Sequence, residues 1–196
     1  MGARLNLEIT DGGQILASCC FYDAANTESA LDICECFIKT ICELFGGAKP
    51  TTYAAVKTLE AMGAGINGVE RNRIKRNPIR FDNISFEPTR SAYNGWIFVT
   101  EEGIDENRRW ESARVKIDLS DGHVDFHAHY YTYLEEYIEF TDRVPDAISW
   151  EELPRIDVGP DIFTGVPFQH LYVIRKIYKQ YPDGFRISCG DVIEWM

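Results

Sequence analysis

Long apolar runs are missing from this sequence. None approaches the roughly 20 residues that a membrane-spanning helix needs, although the hydrophobic share is 45%. The N-terminus carries no basic segment followed by an apolar stretch, so no signal peptide is expected and a cytoplasmic location is. No Cys-x-x-Cys pair occurs among Cys19, Cys20, Cys34, Cys36, Cys42 and Cys189. That argues against a zinc ribbon or a dithiol redox motif, and predicts buried, reduced thiols. The richest glycine stretch, Gly63-Ala64-Gly65-Ile66-Asn67-Gly68, fits no phosphate-binding pattern and follows no strand, so it is expected to end a helix and form a loop. Ser18-Cys19-Cys20 and Ser188-Cys189-Gly190 lack the strand–turn–helix context of a nucleophile elbow.

What is present suits an ordered domain. The chain of 196 residues is long enough to bury a core, and aromatics make up 13% of it. Net charge is −11, and its placement says more than its size. Between Glu101 and Asp161 stand 17 acids against 6 bases, whereas the remainder balances at 14 and 14. One third of the chain therefore holds the whole excess. Such a region repels nucleic acid and attracts cationic partners.

Periodicity supplies the elements. Residues 3–9 and 14–22 alternate on either side of Thr10-Asp11-Gly12-Gly13 and predict a hairpin. Ala30, Ile33, Cys34, Phe37, Ile41 and Phe45 recur at helical spacing over 28–45, with Gly46-Gly47 as the stop. A shorter helix is expected over 53–62. Residues 70–80 carry Arg71, Arg73, Lys75, Arg76 and Arg80 without interleaved aromatics, and read as a solvated face able to pair with the protein's own acidic region. Phe81–Phe86 reads as a strand, 101–109 as a charged connection, and 93–131 as a three-stranded antiparallel meander. Beyond it come a short acidic helix or aromatic edge over 132–141, an irregular connection over 144–166, a helix over 167–180 and a last strand over 185–189. The fold class that follows is α+β: one domain over 1–196, an antiparallel sheet built from hairpins and a meander, with two main helices (28–45 and 167–180) on one face. A weak internal repeat runs through it. Arg4–Gly12 matches Arg114–Gly122 in residue type, position by position, so hairpins 4–22 and 114–131 are built alike.

Two stretches carry chemistry. Gly122–Tyr131 holds three of the four histidines. Strand alternation sets His123, Asp125, His127 and His129 on one face, with Val124, Phe126 and Ala128 on the other. His127 and His129 have the i,i+2 spacing of two ligands to one metal such as zinc, and His123 and Asp125 extend the row. The run Val124–His129 resembles the first-strand metal motif of the amidohydrolase family, which implies a (β/α)₈ barrel with further ligands on later strands. Only 67 residues follow His129 here and a hairpin precedes it, so the resemblance is confined to those six residues.

The second stretch is the acidic third. Glu101, Glu102, Asp105, Glu106, Glu135, Glu136, Glu139 and Asp142, mixed with Trp110, Tyr133, Tyr137 and Trp150, describe a charged patch with aromatic anchors. Its expected partner is a basic protein rather than a nucleic acid or a membrane, and no cofactor is required. By analogy of charge pattern alone, phage-type inhibitors present negative charge where phosphates would sit on a nucleic-acid-handling protein. A non-enzymatic binding module is thus the leading expectation. The alternative is a metal-dependent hydrolase using the His123/Asp125/His127/His129 face.

Overall fold

The structure is a computed structural model that describes residues 4–24, 27–46, 49–81, 95–109, 111, 113–128, 161–168 and 171. The expected N-terminal hairpin forms from β1 (Arg4–Asp11) and β2 (Gln14–Tyr22). Gly12 and Gly13 turn it at φ 57° and 84°, backbone that other residues reach only with strain. Helices α1 (Thr27–Phe45) and α2 (Thr52–Ala61) follow, close to their expected bounds. Thr51 caps α2 by accepting from the Ala54 N–H at 3.1 Å. Next come α3 (Gly68–Lys75), the single turn α4 (Pro78–Phe81), β3 (Gly95–Phe98), α5 (Glu101–Arg108), β4 (Ala113–Asp118), β5 (His123–Ala128) and β6 (Asp161–Pro167).

The α+β class holds, but the sheet is mixed. Its order is β3-β2-β1-β4-β5-β6. The expected meander over 93–131 is broken: β3 pairs antiparallel with β2, while β4 pairs parallel with β1. Only its second half, β4 with β5, is an antiparallel hairpin. The two similar hairpins therefore abut through their first strands. Leu7 lies opposite Val115 and Ile9 opposite Ile117, and the Leu119 N–H donates to the Thr10 carbonyl at 2.8 Å. Chaining the pairings makes β3 parallel to β4, with two strands between them. Parallel strands cannot be joined by a tight turn and need a crossover, usually helical. The stretch 101–109, expected as a charged connection, is that crossover helix, α5.

Each face of the sheet follows from the alternation. Leu5, Leu7, Ile9, Cys19, Ile97, Val115, Ile117 and Val124 form one face, all fully buried, and α1 and α2 cover it with Leu31, Cys34, Phe37, Val56 and Leu59. The thiol expectation holds for Cys19, Cys20 and Cys34, which are buried and unbridged; Cys36 and Cys42 are exposed instead, on the outer side of α1. The second expected covering helix, 167–180, cannot start at Pro167, which closes β6; of the rest only Phe168 and Leu171 are described. Likewise β6 occupies part of the stretch expected to be irregular. Phe81 ends α4 rather than opening a strand, and 82–94, 132–141 and 185–189 lie outside the described residues. The glycine-rich stretch behaves as expected: Gly63 at φ 92° follows α2, and Gly65 bonds along β3 through Gly95 and Ile97.

The seam between α3 and α5 is unusually tight. Glu70 of α3 is fully buried. Its carboxylate accepts from the Val99 N–H at 2.8 Å, the Thr100 N–H at 2.7 Å and the Thr100 hydroxyl at 2.9 Å. An anion is thereby held at the N-terminus of α5, where the helix dipole favours it. Gly103 permits the approach, because a Cβ there would lie 2.2 Å from Glu70 Oε2. Gly103→Ala is expected to cost about 1–3 kcal/mol by overpacking. In a Glu70→Ala background the same change should cost much less, since the clash is gone. Urea unfolding of the four proteins in this double-mutant cycle checks it.

Candidate functional site

On β1 and β2 the second face of the sheet carries buried polar residues. Asn6, Glu8 and Thr10 of β1 and Ser18 of β2 are 0–2% exposed. Buried polar groups must be hydrogen-bonded or they cost free energy. Here α5 supplies partners. Asn107 Nδ2 donates to Asn6 Oδ1 and to Ser18 Oγ, both at 2.8 Å, and Ser18 Oγ donates to Asn6 Oδ1 at 2.6 Å. Asn6 Nδ2 donates to Glu111 at 2.8 Å. Arg108 grips Glu8 with both ends of its fork, at 2.6 and 3.0 Å. Arg114 donates to Glu111 at 3.0 Å through Nε and closely through Nη2, and its Nε also lies 3.8 Å from Glu8. The bond to Glu8 is the chief cause that holds the Arg108 guanidinium above its ordinary pKa.

The histidine row borders this network. Val124 turns into the core at 0% exposure, as the alternation required, while His123 and Asp125 are half-buried. The register sets His127 across from Arg114 and Asp125 across from Lys116, whose Nζ lies 3.7 Å from Asp125 Oδ2. His123 Nδ1 is 3.1 Å from Asp121 Oδ1, without hydrogen-bond alignment. His129 lies outside the described residues. Among the described residues no group of three or more His, Cys, Asp or Glu is placed to hold a metal ion. Two cationic side chains in register with the row also oppose a bound cation. Nor do the core thiols offer a nucleophile. Burial pushes Cys19 and Cys34 well up, and pushes Cys20 up to about 11.

Of the candidate acidic binding residues, the described ones are the four on α5. Thr100 caps that helix, accepting from the Gly103 N–H at 3.1 Å. Ile104 and Asn107 face inward, while Glu101, Glu102, Asp105 and Glu106 face outward with side chains 82%, 67%, 66% and 51% exposed. They form two columns at i,i+4 spacing, Glu101/Asp105 and Glu102/Glu106. Arg73 of α3 bridges the second column, at 3.2 Å from Glu102 and 2.6 Å from Glu106. Arg80 reaches Glu101 at 3.1 Å, and Arg108 reaches Asp105 at 3.9 Å. The basic stretch thus pairs with the protein's own acids, as its composition suggested. Trp110, Tyr133, Glu135, Glu136, Tyr137, Glu139, Asp142 and Trp150 lie outside the described residues. Sequence reading missed the Asn6–Ser18–Asn107 triad and the Glu8–Arg108 pair. The one available signal was polar residues alternating with a fully apolar set in β1.

Comparison with known proteins yields no relative: no family profile, no curated protein and no solved structure matches the chain.

The two Asp-Gly turns meet at Asp118. Its Oδ1 accepts from the Gly12 N–H at 3.3 Å, the Ser120 N–H at 3.0 Å and the Ser120 hydroxyl at 2.6 Å. Burial pushes this carboxyl up, but the Ser120, Thr10 and Gly12 hydrogen bonds outweigh it and hold the group down to about 2. Its unfolded value is about 3.9. The folded pKa is depressed, so the stabilisation is complete above about pH 4 and is lost as pH falls through about 2. Asp118→Asn should therefore lower stability by on the order of 1 kcal/mol at pH 6, after allowance for solvent screening. The gap from wild type should narrow steadily in urea titrations between pH 4 and pH 3.

Proposed function

We propose that this protein is a non-enzymatic binding module that docks on a basic protein partner through the outer face of α5 and the acidic sequence that follows it. The observation that carries the reading is the exposure of all four α5 carboxylates on a helix fixed at both ends. Glu70 holds its N-terminus, and Asn107 and Arg108 hold its C-terminal turn to the sheet. A rigid element presents charge without the entropic cost of ordering it on binding. Arg73 and Arg80 stand where a partner's cations would stand, so the partner displaces or shares these ion pairs. The exposed Arg80–Glu101 pair is worth roughly 0–1 kcal/mol and exchanges readily, whereas Arg73, 10% exposed, is the more firmly held of the two. The charge pattern favours a partner that handles nucleic acid, with the acidic face in the place of phosphates.

The test uses a lysine- and arginine-rich peptide as probe, titrated at low and high salt. Glu101→Lys with Asp105→Lys leaves the Arg73 bridge intact and should weaken binding about tenfold or more, the equivalent of about 1.4 kcal/mol. Arg80→Gln unmasks Glu101 and should tighten it. Equal affinity for all three proteins, or binding indifferent to salt, would rule the reading out.

A further inference from the structure

On the helical side of the sheet, the end of β2 and the helices α1 and α2 leave a cleft of about 580 Å³. That volume lies within the range of small-molecule sites. Phe21, Ile33 and Met62 give it an apolar lining; Asp23, Asp32 and the exposed thiol of Cys36 stand along it. No Lys or Arg lines it among the described residues.

The geometry points to this cleft as a binding site for a small organic amine with an apolar body. The protonated amine lies between Asp23 and Asp32, and the body covers Phe21, Ile33 and Met62. Charge decides the class: two carboxylates beside an apolar wall reject an anion of the same shape, because its charge would be desolvated next to like charge. Size decides the rest, since a half-open cleft of this volume accepts a single ring system rather than a protein surface. The site is independent of α5, which lies on the other face of the sheet.

Cys36 and Cys42 allow a test on the intact protein, because both thiols are exposed on α1 and only Cys36 lines the cleft. Iodoacetamide labelling of each is followed by mass spectrometry, with tryptamine as the probe and indole-3-propionate as its anionic counterpart. Tryptamine should slow labelling of Cys36 but not of Cys42, about fivefold when its concentration is about four times its Kd. Indole-3-propionate should protect neither. Asp23→Asn with Asp32→Asn should abolish the protection while leaving the circular dichroism spectrum unchanged. The inference is overturned if Cys36 labels equally with and without tryptamine, or if the two probes protect equally. The two-probe comparison on the wild type stands whether or not the variant folds.

Discussion

Strand β1 is buried on both faces, and only one of them is apolar. Leu5, Leu7 and Ile9 go to the helical core, and Asn6, Glu8 and Thr10 go to the other side at 0–2% exposure. Leaving such groups unpaired would cost on the order of 1–3 kcal/mol apiece, more for Glu8. Much of the architecture on that side satisfies the requirement. The crossover from β3 to β4 has to pass over one face of the sheet, and its helix arrives there with Asn107 and Arg108 at the right turn to meet Asn6, Ser18 and Glu8. Arg114, on the strand beside β1, turns to Glu111 and approaches Glu8. The central strand thus selects both the path of the chain and the residues on α5.

Such a seam differs in kind from the one under α1. Apolar burial is non-directional and tolerates small shifts of one element on another. Hydrogen bonds from a single amide to two acceptors at 2.8 Å, and a two-point fork on a carboxylate, fix position and rotation together. Glu70 adds a third fixed point at the other end of the helix, with Gly103 cut back to admit it. An eight-residue helix with a low share of apolar positions would not persist alone in water. Its order here is imposed by polar contacts that the rest of the chain provides.

That also accounts for what could be read from the sequence. The first hairpin, α1 and α2 were legible because each carries its own period: alternation in Leu5, Leu7 and Ile9, and helical spacing from Ala30 to Ile41. The histidine strand was legible for the same reason, with Val124 inside and Asp125 outside. Helix α5 was not, since its inward positions are Gly103, Ile104 and Asn107, and two of those three carry no hydrophobic signal. The cues it did have were acids in the first turn after Thr100 and an arginine in the last. Helix α3 had a cap signature as well, Asn67 with Glu70 three residues on, hidden by the eye-catching basic run that follows. Strand order was beyond reach for a different reason. Neighbours in sequence usually pair, but the parallel β1–β4 ladder joins residues 108 positions apart, as in Leu7 with Val115. The repeat gave a near hint. It aligned Leu5 with Val115, whereas the ladder pairs Leu7 with Val115, a slip of two residues that keeps every side chain on its proper face.

The charge distribution gains meaning from this frame. A net charge of −11 suggests a molecule that repels itself, yet the α5 carboxylates stand among Arg73, Arg80 and Arg108. Arg73 is 10% exposed and bonded to three carboxylates, Glu70, Glu102 and Glu106, which raises its pKa chiefly through the Glu106 bond. It is part of the seam as much as of the surface. Arg80 is half-exposed and, among the described residues, meets one carboxylate. The two arginines therefore differ in what their removal releases. Losing Arg73 loosens the join of α3 to α5, while losing Arg80 changes the field above Glu101 and Asp105 and removes a cation from over the Phe81 ring. A cationic partner competing for this face would meet the weaker bond first, at the Glu101/Asp105 column, and the geometry of α5 beneath it would stay as Glu70 and Asn107 set it.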